Sequence, residues 1–288
     1  MTFLHGRGGT GAAAVDAGVP DLPRMPRDHL RGVERLAVPL LDGLNGGGAF
    51  KAPVQWIVRH LSARWVRACT RNLVTITGLD PLRSLRPPRG VILVANHRSF
   101  FDMYVVSAFM YESTGFLERL YFPVRSNFFY DSTLGVLVNL AISGGAMWPP
   151  VFRDDRRAAL NPVGLDQIAA VLTTPGAVVG IHPEGTRGKH PDPYTFLTAR
   201  AGLGEIVQTV PEDVVIVPLF VIGLKNAFVG QVLSNFGIGD AEPVRIRFGA
   251  PLTVREARAL GSDAAGISRA VFERVTALAE ADRASQGP

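Results

Sequence analysis

A chain of 288 residues, 47% hydrophobic and 19% charged, can bury a large core, as one large domain or two small ones. Its single cysteine, Cys69, excludes an intrachain disulfide and fits a cytoplasmic setting. The net charge of +5 is gathered in one place: no acidic residue stands between Asp42 and Asp80, and that gap holds Lys51, Arg59, Arg64, Arg67 and Arg71.

Residues 1–48 have the composition of a flexible N-terminal segment, rich in glycine, alanine and scattered proline, with a short helix near 31–41. The string GRGGTG at 6–11 matches the dinucleotide fingerprint in letters only. That fingerprint works between a strand and a helix, and too little chain precedes Gly6 to supply the strand. No basic stretch followed by an apolar one opens the chain, so no secretory signal is expected.

Residues 49–74 read as a basic amphipathic helix, with a periodic run from Pro53 to Leu73. At about 100° per residue, Ile57, Val58, Leu61, Trp65, Cys69 and Leu73 share one face. Arg59, His60, Arg64, Arg67 and Arg71 share the other. Such a helix can pack on the core with its basic face in water, or lie on a membrane surface.

From Arg89 onward, apolar runs alternate with helical patterns. Strands are expected at 90–95, 119–124, 145–148, 177–181, 214–222 and 243–249. Helices are expected near 100–111, 132–142, 157–173, 198–209 and 253–283. This predicts an α/β fold over 75–288, a three-layer sandwich with a mixed, largely parallel sheet flanked by helices. The longest uncharged run, Ser132 to Phe152, contains Asn139, Gly144, Gly145, Pro149 and Pro150. It reads as a helix followed by a short strand, not as a membrane span.

Two strings carry the chemistry. NHRSFFD at 96–102 follows Val91–Ala95, and HPEGTR at 182–187 follows Ala177–Ile181. Both leave the carboxyl end of a strand, where open α/β sheets place their sites. His97 is a candidate general base, and Asp102 is placed to orient its ring and hold one nitrogen protonated. Ser99 is read as the N-cap of the following helix rather than as a nucleophile, since no G-x-S-x-G elbow occurs. In the second string Gly185 permits close backbone approach, and Thr186 and Arg187 can grip an anion. Glu184 fits this picture less easily, because a carboxylate repels a phosphate unless it is paired. Taken alone, His97 and Asp102 read more readily as a structural pair at a strand end, and the second string changes that weighting.

The ordered pair NH-x4-D and PEGTR, each after a buried strand, resembles the glycerolipid acyltransferases, typified by 1-acylglycerol-3-phosphate O-acyltransferase. The resemblance covers about residues 75–250. It implies a catalytic dyad of His97 and Asp102. It implies acceptor binding by Arg153, Glu184, Gly185, Thr186 and Arg187, and an acyl-donor region around Pro218. The implied reaction moves a fatty acyl group from acyl-CoA or acyl carrier protein, as co-substrate, to a lysophospholipid hydroxyl. No metal and no prosthetic cofactor is implied. The expected partners are the lipid substrates and a membrane surface, not nucleic acid. The expected location is cytoplasmic, against the inner face of the plasma membrane.

There are departures from the pattern. Position 182 is histidine where the family usually has phenylalanine. Arg153 sits in an Arg153–Arg157 cluster, and the lysine often found after the third motif is not clear in Tyr194–Thr198. Three rival readings stand beside the transferase. These are an acyl thioesterase, a metal-dependent hydrolase using His97, Asp102, His182 and Glu184 as ligands, and a non-catalytic lipid-binding protein on the same scaffold. The acceptor, acyl length, donor and oligomeric state are open at this level.

Overall fold

The computed structural model describes residues 21–46, 51–240 and 242–286. The GRGGTG string lies outside them. Helix α1 (Glu34–Asn45) is followed by α2 (Lys51–Ile57), a π-helical turn (Val58–Ser62) and α3 (Ala63–Ala68). Strand β1 (Val74–Thr77), the short α4 (Asp80–Arg83), β2 (Val91–Ala95) and α5 (Asp102–Ser113) come next. Then come β3 (Arg119–Tyr121), β4 (Val124–Arg125), the irregular α6 (Ser126–Phe129), α7 (Thr133–Ser143) and β5 (Pro150–Val151). The short α8 (Asp155–Ala158) leads to α9 (Asn161–Leu172), β6 (Ala177–Ile181), α10 (Gly202–Thr209) and β7 (Val215–Ile222). The chain ends with α11 (Phe228–Asn235), β8 (Val244–Phe248), β9 (Leu252–Thr253), α12 (Val254–Arg258) and α13 (Ala264–Ser285).

Three uniformly apolar strands, β2, β6 and β7, are buried at every residue, as expected of strands covered on both faces. They form the centre of a sheet ordered β1-β8-β7-β2-β6-β3, with β9 pairing β7. Neighbours are parallel except that β8 and β9 run antiparallel to β7. The expected α/β sandwich with a mixed, largely parallel sheet is therefore present. Alternate residues of β2 feed two cores. Ile92 and Val94 pack with Ile168, Val171, Ile206 and Val271 of α9, α10 and α13. Val91 and Leu93 pack with Ala63, Val105, Val106 and Met110 of α3 and α5. Each such aliphatic side chain, fully buried, contributes roughly 1.5–3 kcal/mol before conformational entropy is charged.

Pro218 stands in the middle of β7, where a missing N–H would normally break a ladder. Here β9 pairs Val215 and Ile216, and β8 takes over only at Leu219. Pro218 falls in the gap between the two partners, so no antiparallel hydrogen bond is forfeited. Its carbonyl accepts from Gly249 N at 2.8 Å.

Several local expectations are corrected. Residues 21–46 are packed: Leu30, Ala37, Val38 and Leu41 join the core beside Trp148. No strand forms at 145–148; the short strand is β5, paired in parallel with β4. The helix expected at 157–173 is two helices, with Pro162 in the first turn of the second. The last helix is two helices: Thr253, the end of β9, and Glu256 form the capping box that starts α12, and Asp263 caps α13 separately.

The single apolar face expected for Pro53–Leu73 is also not observed. The helix begins at Lys51, ends at Ala68, and widens into the π turn, which changes its spacing. Leu73 leads instead into β1, a strand the sequence reading had not assigned. Val58, Cys69 and Leu73 are buried, whereas Trp56, Ile57, Leu61 and Trp65 are between 47% and 59% exposed. No helix among the described residues is long and apolar enough to cross a membrane.

Candidate active site

Parallel pairing of β2 with β6, Val91 opposite Val178 through Val94 opposite Ile181, makes both strands end together. The two motif loops therefore leave one edge of the sheet side by side. Asn96 follows β2 and its side chain is tied to β7: Nδ2 donates to Val221 O and Oδ1 accepts from Val221 N, each at 2.8 Å. That anchors the backbone from which His97 projects.

His97 Nδ1 lies 3.2 Å from Asp102 Oδ2. The same oxygen accepts from the backbone N–H groups of Arg98 and Ser99, both at 2.8 Å. A carboxylate acceptor at Nδ1 puts the proton there and leaves Nε2 as the free base. The histidine side chain is 21% exposed and the aspartate 1%. Burial drives His97 down to about 4, assisted by the cations Arg187 and Arg125. Burial pushes Asp102 up to about 6, against the pull of the Ser99 and Arg98 N–H groups. At neutral pH the pair is thus a carboxylate and an uncharged imidazole, the state a general base requires.

Ser99 is not the helix cap expected of it. The helix begins at Asp102, and the buried Ser99 hydroxyl donates to Lys225 O while accepting from Phe101 N. Glu184 also differs from its expected place beside the acceptor. Its Oε2 accepts from His97 N at 2.6 Å and its Oε1 from Leu197 N at 2.9 Å. Gly188 N donates to His97 O at 2.8 Å. The carboxylate is 1% exposed and braces the two motif loops against each other.

A cavity of about 810 Å³ opens over the dyad. His97, Arg153, Gly185, Thr186 and Arg187 line it together, and so do Arg125, Arg200 and Lys189. Arg153 and Arg125 both donate to Gly185 O. Arg187 donates to Asn226 Oδ1 at 2.6 Å, and the same oxygen accepts from Phe100 N. The guanidinium groups of Arg125 and Arg153 are held below their ordinary value, by partial burial first and then by each other's neighbours, Arg200 among them. Crowded like charges of this kind are relieved by a bound anion. Gly185 has φ +64°, a left-handed conformation that favours glycine.

Within the 153–157 cluster, Arg153 alone lines the cavity. Arg157 instead pairs with Glu34 and Asp154. Sequence reasoning missed Arg125, Arg200 and Asn226. Arg200, two residues beyond Tyr194–Thr198, lines the cavity. Arg125 in β4 and Asn226 in the loop after β7 belong to no motif of their own, so only the fold brings them in.

A second, apolar cavity of about 500 Å³ is lined by Val58, Leu61, Trp65, Tyr111, Leu120 and Ile142, among others. Tyr104 and Phe122 line both cavities, so the apolar space adjoins the charged one. Pro218 lines neither.

The donor atoms of His97, Asp102 and His182 lie within 4.8 Å of one another. They fit a metal poorly. The two imidazoles are stacked, centroids 4.0 Å apart and planes 15° apart, so their in-plane lone pairs run side by side instead of converging. His182 Nδ1 faces Asn96 O at 2.8 Å, and Glu184 is engaged through both oxygens.

The family model described as Acyltransferase matches residues 73–222. A search of the curated proteins found no match. The matched stretch runs from the start of the sheet through β7 and contains both motif loops and the whole cation cluster. It spans just over half of the chain, so the protein belongs to the acyltransferase family, as the two motifs had led us to expect.

Proposed function

We propose that the protein is an O-acyltransferase that moves a fatty acyl group from a thioester, acyl-CoA or acyl carrier protein, to the hydroxyl of a lysophospholipid such as 1-acylglycerol 3-phosphate. The observation that carries this reading is one cavity holding an uncharged His97, oriented by Asp102, beside Arg125, Arg153, Arg187 and Arg200. The arginines hold the acceptor's phosphate and so set its hydroxyl against His97 Nε2. His97 takes the hydroxyl proton as the oxygen attacks the thioester carbonyl carbon. The tetrahedral oxyanion collapses, the carbon–sulfur bond breaks, and the imidazolium returns the proton to the leaving thiolate. Asp102 stabilises the imidazolium in between. General base catalysis of this kind supplies about 10²–10⁴-fold, and orientation supplies much of the rest.

The acyl chain fits the adjoining apolar cavity. Its lining includes Leu61, Trp65 and Ile142, which are also among the exposed apolar residues. With Trp56, Ile57 and the nearby Arg59 and Arg64, they support seating the protein on a membrane, against the anionic inner face of the plasma membrane. Thiol release from an acyl thioester, with and without lysophosphatidate, tests the reaction. Acceptor-dependent release supports transfer. Release that ignores the acceptor makes the protein a thioesterase, and no release under either condition makes it a binder.

A further inference from the structure

His182 plays no part in the reaction as written, yet it touches the base. It follows β6 directly, as His97 follows Asn96 at the end of β2, and the register of those strands sets the two rings face to face. Its Nδ1 is 2.8 Å from Asn96 O and 3.2 Å from Ala95 O, both carbonyl acceptors. That nitrogen therefore carries the proton, and the ring plane is pinned to the last residues of β2. Burial first, and then His97, hold the His182 imidazole down to about 3, so it stays uncharged. A stack 4.0 Å between centroids, with planes 15° apart, leaves no space for water between the rings. Of the other neighbours, Asp102 holds one edge of His97 and Glu184 holds its backbone N–H, but neither covers the ring face.

We propose that His182 is a positioning residue for the base: its stacked, uncharged ring covers one face of His97, fixes its plane toward the cavity and keeps water off it. The inference rests on the reading of His97 as general base. It calls for a flat, uncharged ring at 182 and for no chemistry from that ring. Loss of the ring frees His97 to rotate away from the acceptor hydroxyl and admits water to its face, which restores hydration of the imidazolium.

The test compares His182→Ala, His182→Phe and His97→Ala in acceptor-dependent thiol release, recording kcat, the acceptor KM and the pH profile of each. His182→Ala should lower kcat by about 10²-fold with KM changed by less than about 3-fold, consistent with a small misplacement of a reacting group. Its acid limb should move upward, toward the ordinary histidine range of about 6.5. His182→Phe should restore kcat to within about 5-fold and leave the limb near the parent position. An alanine variant with parental kcat and limb overturns the proposal, as does a phenylalanine variant no better than alanine at equal folded fraction by circular dichroism. Parental activity in His97→Ala would instead overturn the base assignment itself, whatever the 182 variants do.

Discussion

Arg200 packs so closely on Gly185 that a Cβ at 185 would lie 3.0 Å from its Cδ and 3.2 Å from its Nε. The two residues are partners in shape as well as in place. The left-handed turn exists where only a hydrogen can sit beside the guanidinium. Gly185→Ala should therefore cost about 1–2 kcal/mol of stability through the backbone alone and also displace Arg200. A thermal melt together with the acceptor KM checks this: both should worsen. An unchanged KM would separate Arg200 from the acceptor.

Arg200 and Arg125 add charge to the pair of arginines expected from the motifs. Hydrogen bonds to charged groups contribute about 1.5–3 kcal/mol each, so Arg200→Ala or Arg125→Ala should raise the acceptor KM about 10–100-fold. The effect on kcat should be smaller. Initial rates over a range of lysophosphatidate decide it; a loss confined to kcat would place these side chains elsewhere in the cycle.

The dyad fixes the acid side of the pH profile. Asp102 takes a proton near 6 and His97 near 4, both because of burial, so kcat/KM should climb between about 4 and 6 and be level at neutral pH. An acid limb at 7 or above would mean an imidazole exposed to water. Stability follows in part. His97 and His182 have lower values folded than unfolded, so their contribution is complete above about 6.5 and is lost as the pH falls toward 4 and 3. Asp102, shifted upward, acts in the opposite sense between about 3.9 and 6. Replacing His182 with phenylalanine should make the fall in Tm between about pH 7 and pH 5 shallower.

Ala141 lines the apolar cavity, and its side chain is exposed. Ala141→Trp should fill part of that space without overpacking the core. The expected outcome is a shift toward shorter acyl donors, read by competing thioesters of different length in one reaction. An unchanged length preference would take the chain out of this cavity.

The membrane reading has its own check. Leu61→Ser and Trp65→Ser remove exposed apolar area and should weaken sedimentation with anionic vesicles. Raised salt should weaken it further, through Arg59 and Arg64. Equal sedimentation of parent and variants would remove this surface from membrane contact.

The sequence makes the sheet legible because β2, β6 and β7 are apolar without interruption, a pattern that needs cover on both faces. The dyad is legible because only four residues separate His97 from Asp102 across a single turn. The rest depends on interactions that spacing does not encode. The π turn at Val58–Ser62 breaks a periodicity that the letters keep perfectly, so a face expected to be buried is split. Glu184 looks like a ligand until its hydrogen bonds to His97 and Leu197 are seen. Arg125 reaches the cavity from β4 and Asn226 meets Arg187 from the loop after β7, and nothing in their local sequence distinguishes them from ordinary surface residues.

The double engagement of Glu184 changes how damage to the second motif is to be understood. One oxygen carries the main chain of the base, and the other carries the strand of loop that delivers Arg200 three residues later. Severing this strut loosens proton abstraction and head-group grip in the same stroke. On the proposed reaction, a variant at 184 should therefore mimic the loss of His97 and Arg200 together, although its carboxylate does not line the cavity.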